Sequence, residues 1–421
     1  MSRKKRVVIV ALMIALLAIS LPVAGCGEKE KEEDANGKKS EVDVKSAGEF
    51  GNEFDFTVFR QVVGEDREDD RYTNVFLSPE SLRIALMMTY NGAEGETREA
   101  MAKLLGLEGM TLQETNEASA ALLGALTDTG DGALVEIANS LWFREDLTFK
   151  EEFIERNEEY YDAQVEKIST PEAINSWVDE KTHGKIDKIV DRIDPMTVLF
   201  LINAIYFKGE WSEKFDGDMT RDKDFTLQDG STKQVPLMSQ SGEYRYLANE
   251  SFQAVELPYG DNGKMSMFVF LPVEGLGLDG FVEMLGSESW DGWMNAFASK
   301  EGDIEVPRFK MEYEKQLNDT LKALGIEVAF DGQRADFTGM ISPGETSENI
   351  FISDVLQKTF VEVNEEGTEA AAVTKVEVAM TATPIEEEER FQMRVDRPFF
   401  FVIRNNSTGT LLFMGLIVDP A

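Results

Sequence analysis

One histidine and one cysteine stand in a chain of 421 residues, and their scarcity decides most of the enzymology. A nucleophilic site of the Ser-His-Asp or Cys-His kind would have to pass its proton through His183, since imidazole is the general base of such sites. His183 follows a helical stretch, 171–181, and precedes Gly184. A cation there complements the negative end of a helix dipole, so a structural role is expected rather than a catalytic one. With Cys26 as the sole thiol, no disulfide closes within the chain and no thiolate cluster can hold a metal. Neither a His-Glu-x-x-His pair nor a glycine-rich phosphate loop occurs. No metal, cofactor or catalytic residue is expected, and the chain reads as something other than an enzyme.

The unusual chemistry lies instead in 365–381, Glu-Glu-Gly-Thr-Glu-Ala-Ala-Ala-Val-Thr-Lys-Val-Glu-Val-Ala-Met-Thr. From Thr368 to Met380 the even positions carry no charge, while Glu369, Lys375 and Glu377 fall on odd ones. That is the alternation of a strand with one buried face. Ala370, Ala371 and Ala372 are better helix formers than strand formers and follow Gly367, which loosens the backbone. The segment therefore reads as conditionally structured. Small side chains at Thr368, Ala370 and Ala372 would let it slide between two existing strands; a surface helix start or an edge strand is the plainer alternative.

Composition narrows the partners. The formal net charge of −37 repels nucleic-acid phosphates and argues against such a partner. The 42% hydrophobic content is enough for a large core, and length alone allows one to three domains. Arg3, Lys4, Lys5 and Arg6 precede an apolar run over 7–19, and Leu21-Pro22-Val23-Ala24-Gly25-Cys26 closes it. Residues 1–25 thus have the charged, apolar and small-residue regions of a secretory signal. Its last four residues resemble a lipobox, which implies cleavage before Cys26 and a lipid on that thiol. A transmembrane anchor or a cut elsewhere is the alternative, and each still exports the rest, to be held at the cell surface or secreted. Residues 26–49, rich in Glu, Lys and Asp, read as a disordered charged tether. Its reach would be about 25 Å.

The folded body is expected over 50–421. Phe54, Val58, Phe59 and Val62 have helical spacing. Asn74-Val75-Phe76-Leu77-Ser78-Pro79-Glu80-Ser81-Leu82 opens a second helix, with Ser78 or Pro79 at its start. Helix is expected over 113–126 and 171–181, and a long buried strand over 133–144. The apolar run 198–207 suits a central strand covered on both faces. It continues into Asn203-Ala204-Ile205-Tyr206-Phe207-Lys208-Gly209-Glu210-Trp211. Residues 256–259 and 265–272 read as a strand pair, and 399–404 with 411–418 as a deeply buried hairpin.

These motifs carry a resemblance. Glu365-Glu366-Gly367-Thr368-Glu369-Ala370-Ala371-Ala372 closely resembles the proximal hinge of the serpins, the serine protease inhibitor family, and stands where that hinge stands relative to the C-terminus. Val355-Leu356-Gln357-Lys358-Thr359-Phe360-Val361-Glu362-Val363-Asn364 upstream and Asp396-Arg397-Pro398-Phe399 downstream extend the match. So do the segments at 74–82 and 203–211, Val306-Pro307-Arg308-Phe309-Lys310, and Ala335-Asp336-Phe337-Thr338-Gly339-Met340.

The resemblance implies a single α+β domain with three β-sheets, eight or nine helices and an exposed reactive loop near the C-terminus. It implies a monomer that inhibits a serine protease, or a cysteine protease, by suicide. The target cuts the loop, an acyl-enzyme forms, and the freed loop enters a sheet as a new strand. Counted from Glu365, the family's reactive bond falls at Thr381-Ala382; a slip of one residue gives Met380-Thr381. Met380 would suit a chymotrypsin- or subtilisin-like pocket, whereas Ala379, Thr381 and Ala382 look more like elastase or subtilisin bait. Arg390 lies too far along to be bait for a trypsin-like enzyme. The residues matching the family's polar cluster beneath the opening sheet are Ser78, Ser81, Asn203 and Gln357, the last standing where many relatives carry His. The acidic run at 386–389 is a second departure, read as a solvated spacer or as an exosite for a basic protease surface. The rival reading is a non-inhibitory surface lipoprotein of the same fold that binds without cleavage.

Overall fold

The chain folds around alternation in one strand. In Asp354–Asn364 every odd residue is buried and every even one partly exposed, so Val355, Gln357, Thr359, Val361 and Val363 share the inner face. Beside it Leu199–Glu210 is apolar nearly throughout and buried over most of its length, as a strand covered on both faces must be. The structure, a computed structural model, describes residues 44–194, 197–342, 349–368 and 390–420. Residues 1–25, expected as an export signal, Cys26 and the first part of the expected tether lie outside them. So does 369–389, with Glu369, Ala370, Ala371, Ala372, Met380, Thr381, Ala382 and the acidic run.

Nine α-helices and three sheets are found among the described residues, which is the expected α+β arrangement. The six-stranded sheet runs in the order Phe309–Gln316, Asp354–Asn364, Gly367–Thr368, Leu199–Glu210, Ala133–Phe143, Ala163–Lys167. A nine-stranded sheet contains the pair Phe252–Tyr259 and Met265–Pro272 and the hairpin Phe399–Asn405 with Leu411–Ile417, all antiparallel as their turn residues predict. Its edges include Phe391–Arg394, which runs parallel to Ala298–Pro307. The third sheet is a two-stranded hairpin, Arg67–Glu68 with Arg71–Tyr72.

The first helix, Val44–Glu65, begins well before the expected start near Phe50, so the tether as read from composition is too long at its C-terminal end. Sparse aromatic content there hid the helix, because a leading turn needs no buried face of its own when the following turns supply one. The helix Pro79–Tyr90 is buried along its whole length. Ser78 caps it, accepting from the Ser81 amide, and Pro79 occupies the first turn, where its missing N–H is no loss.

Burial of that helix encloses charge. Arg83 forks onto Glu80 at 2.9 and 2.8 Å, while both carboxylate oxygens of the fully buried Asp55 lack a hydrogen-bond partner among the described residues. Burial, followed by the Glu80 charge, pushes the Asp55 carboxyl well above its usual range. A carboxyl raised in the folded state lends stability at low pH and loses it as pH climbs past its unfolded value near 4. Asp55→Asn is therefore expected to stabilise the protein by about 1–3 kcal/mol at pH 7. The gain should shrink toward pH 4 in urea titrations; a gain independent of pH would contradict the assignment.

Candidate functional site

The six-stranded sheet is open along its middle. The Asp354–Asn364 and Leu199–Glu210 strands run parallel and pair directly only at one end, Asp354 with Phe200, Val355 with Leu201 and Leu356 with Ile202. At the other end Gly367 and Thr368 stand between them, antiparallel to both: Thr368 lies opposite Val363 and Gly209, and Gly367 opposite Asn364 and Glu210. Between these ends, among the described residues, no strand separates the facing edges 203–208 and 357–362. Each outer edge is fully laddered, to Ala133–Phe143 on one side and Phe309–Gln316 on the other. These two inner edges, joined there by no ladder pair among the described residues, form a slot shaped for one more strand.

The first rung of that strand is already in place, and its side chains show why. Thr368 is 2% exposed and its hydroxyl lies 2.7 Å from that of the buried Tyr259, whose phenol burial pushes above its usual value. Gly367 has φ +150°, and a Cβ there would lie 2.0 Å from the Gly209 carbonyl oxygen, so glycine is required by both backbone and space. The turn before it is fastened by backbone bonds of 2.9 Å from the Trp211 amide to Glu366 and from the Phe215 amide to Glu365. The Trp211 indole donates to the Asn364 carbonyl at 2.9 Å and stacks on Tyr259 at 4.5 Å. Lys214 pairs with Glu366 at 2.8 Å and Glu210 at 3.0 Å, contacts that hold its ammonium above the usual value. Glu365 accepts from Thr220 at 2.8 Å and faces Arg308 at 3.6 Å.

Below the slot, polar side chains tie the sheet to the helix. Gln357 makes a two-point contact with the Ser78 backbone, its Nε2 donating to the carbonyl at 2.8 Å and its Oε1 accepting from the amide at 3.0 Å. Gln357 thus engages both backbone polar groups of one residue, using the donor and acceptor that a glutamine amide carries together. Two residues on, the Thr359 hydroxyl donates to the Phe76 carbonyl at 2.6 Å. Of the four residues expected to cluster, Ser78, Ser81 and Gln357 meet, though through the backbone and the helix cap. The Asn203 Nδ2 donates to Asn139 at 2.5 Å, and its Oδ1 and the Ser81 hydroxyl are buried without a hydrogen-bond partner among the described residues. The sequence reading missed Asn139 and Thr359. Thr359 was visible as a polar residue on the buried parity of its strand; Asn139 carried no such sign. Replacing Gln357 with Ala takes the acceptor from the buried Ser78 amide, while the Ser78 carbonyl keeps the Leu82 amide at 3.2 Å, and is expected to cost about 1–3 kcal/mol, read as a lower urea midpoint of the native form.

The far end of 369–389 is also held. Arg390 bridges Glu301 at 2.8 Å and Asp303 at 3.0 Å and donates to the Gly302 carbonyl at 3.1 Å, where the parallel strand Phe391–Arg394 begins. His183 sits in left-handed backbone just past the helix Pro171–Lys181, half-exposed. Its ring turns to the Glu136 carboxylate and packs 4.6 Å from Tyr206. A carboxylate on the adjoining sheet, rather than the helix dipole, is what engages it.

Proteins of known fold share this arrangement. Residues 50–420 match the family model described as Serpin (serine protease inhibitor). An uncharacterized serpin-like protein of Thermococcus kodakarensis is 35% identical over 88% of this chain and 84% of its own length. Human Serpin B8 is 36% identical over 84% of this chain and 95% of its own. Among solved structures, the thermophilic serpin tengpin in its native state matches with a TM-score of 0.80 at 30% identity, covering 94% of this chain and 96% of that one. Human thyroxine-binding globulin, solved in complex with thyroxine, also matches at 0.80, with 26% identity over 90% of this chain and 99% of that one. An open sheet with its hinge begun as a strand, a family match over nearly the whole body and relatives more than a third identical lead to one conclusion: the chain belongs to the serpin family, the family of serine protease inhibitors.

Proposed function

We propose that this serpin is an inhibitory one, a single-use trap for an elastase-, subtilisin- or chymotrypsin-like serine protease. The observation that carries this reading is the slot between 203–208 and 357–362, with Gly367 and Thr368 standing in its mouth. Continuing their register brings Ala370 opposite Val361 and Phe207, Ala372 opposite Thr359 and Ile205, and Thr374 opposite Gln357 and Asn203. The inward positions of the entering strand are then Thr, Ala, Ala and Thr, small enough to pass over the existing interior. Glu369, Lys375 and Glu377 point outward to water. Further entry must unzip the three pairs that join the strands at 354–356 and 200–202.

The energy suffices. About a dozen new ladder hydrogen bonds, each worth about 1 kcal/mol net, with burial of the inward face, release on the order of 10–20 kcal/mol. A protease is itself stable by roughly 5–15 kcal/mol, so a strand that drags the acyl-enzyme along can deform its active site before water hydrolyses the ester. In this reading the protease serine attacks the carbonyl of Thr381 and the Ala382 amine leaves, or the same occurs one residue earlier at Met380-Thr381. A cysteine protease would meet the same trap through a thioester. The chain acts as a monomer and is exported and held at the membrane by lipid on Cys26, with the acidic run at 386–389 as spacer or exosite.

The decisive experiment incubates residues 27–421 with subtilisin, elastase and chymotrypsin. An SDS-resistant adduct and a released C-terminal peptide beginning at Ala382 or Thr381 are expected. The second reading, a binder that forms no covalent complex, has one supporting observation in the likeness to thyroxine-binding globulin. Cleavage of the loop with no adduct from any of the three enzymes would favour it.

A further inference from the structure

The segment that fastens the hinge forms, on its other side, a wall of a cavity of about 290 Å³. That volume is at the lower end of small-molecule pockets, about 300–1,000 Å³. Trp211 and Phe215, whose amides hold Glu366 and Glu365, line it together with the buried Tyr244 and Leu257. Two exposed carboxylates, Glu213 and Glu243, also line it, the second accepting from the Ser299 hydroxyl. The guanidinium in the lining, Arg245, is paired with the buried Glu256, which also accepts from Ser266 at 2.6 Å. The field in the cavity is accordingly negative. The Tyr244 phenol registers it: burial raises its pKa first, and the Asp303 and Glu213 charges raise it further. Gln240 fixes the wall by donating to the Glu213 carbonyl at 3.1 Å and the Lys214 carbonyl at 3.0 Å.

We propose that this cavity binds a small amphipathic amine, its ring against Trp211, Phe215 and Leu257 and its ammonium at Glu213 and Glu243, and that occupancy is coupled to the seating of the hinge. Aromatic faces and carboxylates together favour an organic cation over a neutral or anionic molecule of the same shape. Coupling follows from the shared wall. An amine that packs against Trp211 and Phe215 stabilises the arrangement in which their amides hold Glu365 and Glu366, and a seated hinge in turn favours the amine by the same factor. This rests on the reading that the hinge moves in and out of the sheet.

Equilibrium dialysis of residues 27–421 with tryptamine, without protease, tests the site separately from inhibition. Tryptophol, the neutral alcohol of the same skeleton, and indole-3-acetate are the controls. Tryptamine is expected to bind at least tenfold more tightly than tryptophol, with indole-3-acetate weaker still. Glu213→Gln combined with Glu243→Gln, both on the surface and harmless to folding, should weaken tryptamine tenfold and leave tryptophol unchanged. Thr368→Arg, which cannot seat a charge against Tyr259, should weaken tryptamine at least threefold. Equal binding of tryptamine and tryptophol, absence of tryptamine binding, or an unchanged affinity in the double variant overturns the site. Equal affinity in Thr368→Arg overturns the coupling. A chain that binds tryptamine as described and forms no protease adduct refutes the inhibitory reading alone.

Discussion

Nicking the native protein between Ala379 and Ala382 is expected to raise its melting temperature by roughly 15–25 °C, from about 10–20 kcal/mol of added stability spread over the unfolding entropy of a body of this size. The direction is opposite to what cutting a chain ordinarily does, since a break adds more conformational freedom to the unfolded state than to the folded one. Stabilisation arises here because the intact loop is anchored at both ends. Gly367 and Thr368 hold one end in the six-stranded sheet, and Arg390 with Phe391–Arg394 holds the other in the nine-stranded sheet. While both anchors persist, residues beyond Thr368 cannot run down the slot without pulling Phe391–Arg394 from its place. Cleavage releases that constraint, and the facing backbone groups at 203–208 and 357–362 gain partners. Calorimetry before and after limited proteolysis checks it; an unchanged or lowered transition would mean that the slot does not accept the loop.

The second large effect is expected from Thr368→Arg. Position 368 is where entry starts, and its side chain is buried against Tyr259 with a hydrogen bond of 2.7 Å. An arginine there would bury a charge against the Tyr259 phenol, at a cost of several kcal/mol, and its length would clash with the ring pair Trp211–Tyr259. Insertion then begins late, and the acyl-enzyme has time to hydrolyse. The variant should still be cut at the same bond at nearly the wild-type rate, because the bait is untouched. The stoichiometry, moles of inhibitor consumed per mole of enzyme blocked, should rise more than tenfold. Thr368→Ser, which keeps the hydroxyl, should behave as wild type. An arginine variant that traps protease one for one would show that the hinge residue does not lead insertion. The exchange of an efficient trap for a good substrate separates kinetic competition from misfolding, since a misfolded chain would lose specific cleavage as well.

Much of this protein was legible in one dimension. A lone His183 confined any triad chemistry to one residue without reference to any fold. In 354–364 the inner face can be read from alternation alone, because a strand's side chains point to opposite sides at every step whatever lies around it. The apolar continuity of 198–207 announced a strand covered on both sides, and Ser78-Pro79 announced the start of the buried helix. The family motifs located the hinge itself. What alternation cannot supply is the identity of a neighbour. It says that Gln357 and Thr359 face inward; only the fold shows that they reach the backbone of Ser78 and Phe76, the first of these 279 residues away in the chain. The bond of Asn203 to Asn139 was out of reach for the same reason, since it depends on the register of two strands 64 residues apart in sequence. The pairing of Thr368 with Tyr259, and the grip of Trp211 and Lys214 on the turn before it, were likewise decided in three dimensions. A side chain's face follows from local geometry at each residue, whereas its hydrogen-bond partner follows from how distant segments slide to bury the most apolar surface, and no single segment holds that information.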